Sequence, residues 1–225
     1  MGKRGYALAI HFHRSAKDAA ETVEQFTSQG FAAQAFQADL TDERQVQDLV
    51  EATCDRFGRL DVLVHCAATW QRKRLEELTA SDVRQSFDAN TLSTFLCLQK
   101  AGLAMVRQSE GGAIVTLGDW AIERPYLDHA GYFAAKGAIP TLTRTMAVEL
   151  ATRNPRVRVN CILPGPVMLP PELSAAERDE SIRGTLVQRE GRPENVAQAA
   201  LHFIDNDFIT GACLPVDGGR TIFAP

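Results

Sequence analysis

Several protein classes are excluded by what this sequence has little of. Cysteine occurs five times in 225 residues, at 54, 66, 97, 161 and 213, and never as a Cys-x-x-Cys pair. Cys54, Cys97, Cys161 and Cys213 sit inside apolar stretches, the usual home of a buried free thiol. That argues for a reducing, cytoplasmic setting rather than a disulfide framework. No apolar run reaches the ~18 residues of a membrane span, and no apolar core followed by a small-residue cleavage site opens the chain. A soluble protein with no membrane partner is expected. Basic residues do not predominate: 24 Lys and Arg face 28 Asp and Glu, a net charge of −4. With no clustered basic face, nucleic acid is not an expected partner. The densest basic run, Arg72-Lys73-Arg74, meets Glu76 and Glu77 at once and reads as solvated surface. The histidines assemble no metal site: His11 and His13 alternate on a strand, and His129 is a lone loop residue.

What is present is a regular alternation. Apolar residues make up 45% and charged residues 23%, a globular balance, and the length suits one α/β domain over 1–225. Strands are expected at Tyr6–Phe12, Phe31–Gln37, Val62–His65, Ala113–Leu117, Val157–Ile162 and Gly211–Val216. Val62–His65 reads as buried on both faces. Between them lie helices: from Ser15 to Ser28, from Thr41 or Asp42 to Phe57, a long one over Ser81–Val106, another from His129 to Thr152, and one over 194–205. Val167–Glu190 reads as a looser, polar and proline-bearing stretch. Such alternation implies right-handed βαβ units and a Rossmann-like doubly wound parallel sheet. Ligands bind such sheets at the carboxyl ends of the strands. Asp39, the segment from His65 to Ala68, Asp119 and Pro164-Gly165 all fall there.

The chemistry centres on Asp119, Tyr132 and Lys136. Tyr132 and Lys136 are four apart in a helical segment, so they project from one face. Three Tyr and five Lys in this length give ~0.07 such spacings by chance. A free phenol ionises near pH ~10, and a neighbouring ammonium lowers that value, making a usable acid and base.

Together with Ala38-Asp39-Leu40-Thr41-Asp42, Asp61-Val62-Leu63-Val64, Asn90, Pro164-Gly165, Gly191-Arg192-Pro193-Glu194 and Val216-Asp217-Gly218-Gly219, this pattern resembles the short-chain dehydrogenase/reductases. The resemblance runs from Tyr6 to the end. It implies NAD(P)(H)-dependent hydride transfer, with Tyr132 as acid and base, Lys136 holding the nicotinamide ribose, and Asn90 supporting a proton-relay water. Asp39, Leu40, Ala67, Pro164 and Gly165 would complete the cofactor site. Relatives form homotetramers through the two long helices.

Within the family the chain is more similar to pteridine and dihydromonapterin reductases. Most members place Ser thirteen residues before the Tyr; here the residue is Asp119. A carboxylate repels a carbonyl oxygen but accepts from N–H, and when protonated donates, which suits reduction of a C=N in a pterin-like heterocycle. The alternative is that Asp119 caps a turn. Trp70 stands where such relatives stack an aromatic on the substrate; the alternative is a core tryptophan. His13-Arg14-Ser15 replaces the acidic residue that would bond the ribose of NAD, and favours the 2′-phosphate of NADP(H). The chain departs from the family by lacking the first strand and its glycine-rich phosphate turn, as if N-terminally truncated. Two further readings stand beside the pterin one: a carbonyl or alcohol oxidoreductase, and a cofactor-free homologue with a binding or structural role.

Overall fold

Leu8–Phe12 (β1) and Ala33–Gln37 (β2) pair in parallel, with Ile10 opposite Ala35. Val62–His65 (β3), Gly112–Leu117 (β4), Val157–Pro164 (β5) and Cys213–Val216 (β6) form a second parallel sheet in the order β3-β4-β5-β6. The computed structural model describes residues 1–171 and 173–223. The helices are Ala16–Ser28 (α1), Glu43–Phe57 (α2), Ala80–Phe87 (α3), Ser93–Val106 (α4), Ala130–Ala151 (α5), Ala175–Arg183 (α6) and Pro193–Asp205 (α7).

Helix ends follow the local chemistry. Asp42 caps α2 by accepting from the backbone N–H groups of Arg44 and Gln45, and Gly58 ends it at φ 82°, a left-handed conformation that glycine adopts freely. The sheet is covered on both faces. Ile114, Val157 and Val159 pack on Leu98 and Met105 of α4 and Met146 and Leu150 of α5. Val115 and Ile162 point the other way, onto Ala200 and Phe203 of α7. Alternate residues of one strand thus serve opposite layers.

Three expectations need correction. The single helix over 81–106 is two helices joined by a π turn at Asp88–Leu92, which carries Asn90. The stretch 167–190 contains α6, started by a reciprocal Ser174/Glu177 capping box. And β3 is not buried on both faces: Val64 is 38% exposed. The cause is the divided sheet. β1 and β3 are not hydrogen-bonded to each other, and a slot of about 760 Å³ lies between them, lined by Tyr6, Leu8, Ile10, Val62 and Val64 among others.

Candidate active site

The carboxyl ends of β3, β4 and β5 converge on the start of α5. Asp119 follows β4 by two residues and is held from two sides. The Ala121 backbone N–H donates to its Oδ1 at 2.8 Å, and the Tyr132 hydroxyl donates to its Oδ2 at 2.7 Å. Asp119 therefore does cap the short turn Trp120–Ile122, and it also engages the phenol. Tyr132 lies in the first turn of α5 and is 7% exposed. One turn on, the Lys136 ammonium is equally buried and donates to the Leu117 carbonyl at 2.9 Å.

The electrostatics differ from those read off the spacing. Burial pushes the Tyr132 phenol upward, and the Asp119 charge and hydrogen bond push it further. Lys136 is not among the groups that shift the phenol; the charge that acts on it is that of Asp119. Tyr132 is therefore a hydroxyl near neutral pH, a donor in waiting. Burial likewise raises the Asp119 carboxyl, against the hydrogen bonds from Ala121 and Tyr132 and the Lys136 charge. Burial also lowers the Lys136 ammonium.

Asn90 is almost fully buried and both ends of its amide are used. Its Nδ2 donates to the Ser86 carbonyl at 2.9 Å and its Oδ1 accepts from the Thr69 backbone N–H at 3.1 Å. It thereby ties the π turn to the loop that carries Trp70. Trp70 is 46% exposed, so it is not a core residue. Its indole stacks on His129 with ring centres 4.6 Å apart. Together with Asp119, Tyr132 and Gly165, it lines a cavity of about 740 Å³.

The same cavity takes in residues that sequence reasoning passed over: Arg72, Trp120, Tyr126, His129 and Arg220. Arg72 is exposed, as the sequence suggests, and still makes two ion pairs. It lies 3.6 Å from Asp128 and 3.5 Å from Glu177, and so links the β3 loop to α6. Arg220 rests its guanidinium 4.7 Å over the Trp120 ring. His129 is 4% exposed and packs against Tyr126 and Phe133 as well. One signal was available. Trp120, Tyr126, His129, Tyr132 and Phe133 crowd into fourteen residues of a chain that is only 7% Phe, Trp and Tyr.

Of the remaining expected residues, His13, Arg14, Ser15, Asp39 and Leu40 lie at the ends of β1 and β2, whereas Ala67 follows β3 and Pro164 and Gly165 close β5. Asp39 accepts from the Thr41 backbone N–H and hydroxyl, which hold its carboxyl below the usual range, and lies 3.8 Å from the His13 imidazole. Leu40 is buried, and Ala67 lies exposed in the loop after β3. Arg14 is exposed and makes no ion pair among the described residues, and the Ser15 hydroxyl makes no cap bond to α1. Pro164 ends β5, and the Gly165 N–H donates to the Val216 carbonyl at 3.0 Å. A Cβ at Gly165 would stand 2.5 Å from the Asp217 backbone, so only glycine permits that approach.

Tyr132 and Lys136, one turn apart on α5 beside Asp119, sit at the carboxyl ends of a parallel sheet, where such folds bind ligands. The family model described as enoyl-(acyl carrier protein) reductase matches residues 1–221. The (2S)-[(R)-hydroxy(phenyl)methyl]succinyl-CoA dehydrogenase subunit BbsD of Thauera aromatica is 32% identical, over 100% of this chain and 90% of its own length. Two solved structures are similar at 27% identity. A 7α-hydroxysteroid dehydrogenase complexed with NADH and 7-oxo glycochenodeoxycholic acid has a TM-score of 0.88, over 95% of this chain and 84% of that one. A blue fluorescent protein from a metagenomic library in complex with NADPH has a TM-score of 0.86, over 97% and 89%. The chain belongs to the short-chain dehydrogenase/reductase family, and is an NAD(P)-dependent oxidoreductase.

The residues at both ends of the site fit such a cofactor. Lys136 has one carbonyl partner for three N–H donors, so two would be available to a bound cofactor. Arg14 and the Ser15 hydroxyl stand free at the other end.

Proposed function

We propose that this chain is an NADPH-dependent reductase of a C=N bond in a flat, pterin-like heterocycle, with Tyr132 as the proton donor. The observation that carries the reading is the 2.7 Å bond from the Tyr132 hydroxyl to a half-buried Asp119 in a cavity that Trp70, Trp120 and Tyr126 also line. Reduction of a C=N adds a hydride to carbon and a proton to nitrogen. The cofactor supplies the hydride when bound. The Tyr132 O–H breaks to protonate the nitrogen, and a proton from solvent restores the phenol by way of Asp119, whose carboxyl burial makes easier to protonate. Trp70 and the neighbouring rings give a planar substrate a stacking surface, for about 0.5–1.5 kcal/mol beyond the area it buries. Arg14 and Ser15 favour the 2′-phosphate over a bare ribose. Assembly as a homotetramer through α4 and α5 belongs to the same reading, supported by Leu103 and Val148, which those helices leave exposed.

A second reading, oxidoreduction of an alcohol or carbonyl, is favoured by the dehydrogenase names of the relatives. The two separate on Asp119. Purified protein should oxidise NADPH, in preference to NADH, on addition of a dihydropterin, and Tyr132→Phe should lower that rate about 10²–10⁴-fold. Asp119→Ser should abolish it as well. Unchanged turnover in Tyr132→Phe, or a gain in carbonyl reduction by Asp119→Ser without loss of dihydropterin turnover, would overturn the proposal.

A further inference from the structure

Two arginines line the cavity, and their charges are met differently. Arg72 has carboxylates beside it, Asp128 at 3.6 Å and Glu177 at 3.5 Å. Arg220 pairs with no carboxylate among the described residues; Asp217, three residues before it, is turned to the Gly219 and Thr221 N–H groups. The Arg220 guanidinium lies 4.7 Å over the Trp120 ring, and its Nη1 donates to the Ser181 and Glu180 carbonyls of α6. Trp120, Glu180 and Ser181 line the cavity too, so the head of this side chain spans two parts of its wall.

These contacts use one face of the planar group and one of its nitrogens. Nε and Nη2 have no hydrogen bond among the described residues. The buried side-chain atoms left without a partner there are His65 Nε2, His129 Nε2 and Thr221 Oγ1. Neither arginine nitrogen is among them, and Arg220 is only half-buried, so both reach open space. The Nε–H and one Nη2–H of a guanidinium run parallel along one edge, spaced to meet both oxygens of a carboxylate. Arg220 thus presents a permanently charged, two-point edge, braced by Trp120 and α6. Asp119, Asp128, Glu177 and Glu180 line the same cavity, so a singly charged carboxylate fits it better than a doubly charged phosphate.

We propose that Arg220 is the receptor for a carboxylate carried by the substrate away from its reacting bond, which makes the substrate class a flat ring acid. The carboxylate accepts from Nε–H and Nη2–H, and its ring extends along Trp120 toward Asp119 and Tyr132. This rests on the cavity beside Tyr132 as the substrate site, and not on whether the reacting bond is C=N or C=O. An uncharged analogue leaves the guanidinium edge without a partner as water is displaced, and that loss discriminates against it.

Titration calorimetry at pH 7, with NAD⁺ and NADP⁺ both in excess, tests this with two pairs of probes. One pair is pterin-6-carboxylate and its carboxamide; the other is 2-naphthoate and 2-naphthamide. In the wild type each acid should bind about ten-fold or more tightly than its amide, the scale of one charge-assisted pair. Arg220→Met, which keeps a long side chain against Trp120, should bring both ratios near one. Arg220→Lys, with the charge but no fork, should fall between. Equal affinities for acid and amide in the wild type, a readout that needs no variant to fold, would overturn the proposal. So would a wild-type ratio retained in folded Arg220→Met with all affinities weakened together, which would mean a packing role. If the naphthoate pair is discriminated while neither pterin probe binds, the heterocycle reading fails and the Arg220 receptor stands. If the two pterin probes bind alike and dihydropterin is reduced, the receptor fails and the heterocycle reading stands.

Discussion

Tyr132 illustrates how a charge inferred from spacing is redirected by its surroundings. The i, i+4 relation to Lys136 is real, yet Lys136 donates to Leu117, and the carboxylate of Asp119 is what the phenol meets. A comparable correction concerns His65 at the end of β3. Burial, then the charges of Lys136 and His11, lower its ionisation to about 4. An unfolded histidine takes its proton near pH ~6.5, so as pH falls below that value the unfolded chain binds a proton the folded one refuses. The stability held by neutral His65 is complete above pH ~6.5 and lost as pH falls toward 4, by about 3 kcal/mol at 1.36 kcal/mol per unit. Urea unfolding as a function of pH should show this acid limb in the wild type and a shallower one in His65→Asn. Equal limbs would show that His65 ionises freely in the folded chain.

Between α3 and α4, the π turn at Asp88–Leu92 turns Asn90 inward to bond Ser86 and Thr69. A helical pattern alone reads as one continuous helix there, because no glycine or proline marks the junction at 88–92. Asn90→Ala would strand the Thr69 N–H and the Ser86 carbonyl, and should cost about 1–3 kcal/mol in urea denaturation. The KM of the substrate should rise too, since Trp70 is the next residue along the released loop. A variant of wild-type stability would show that water replaces both bonds. The start of α6 was legible in principle, as Ser174 and Glu177 spell a capping box, but the prolines at 170 and 171 and the polar composition obscured it.

The sheet comes in two parts, and its stability should be uneven for that reason. β4 is paired on both sides, to β3 and β5, whereas β1 and β3 each leave one edge facing the slot between them. Amides on those edges lack a protein partner, so native-state hydrogen exchange should be fast along them and slowest in β4 and β5. Protection of β1 and β3 equal to that of β4 would show that the slot is closed in solution. No helix among the described residues is long and apolar enough to cross a membrane.

Local patterns in the chain were enough for the alternation of strands and helices, for the Asp42 and Gly58 helix ends, and for the grouping of Asp119, Tyr132 and Lys136. Each depends on neighbours within a turn or on strand order, which are properties of sequence distance. Folding decided the rest. That Trp70 lies on His129, that Arg72 reaches Asp128 and Glu177, and that Lys136 turns to Leu117 depend on residues brought together across tens of positions. Burial, which sets the protonation of Tyr132, Asp119 and His65, exists only once the layers have packed.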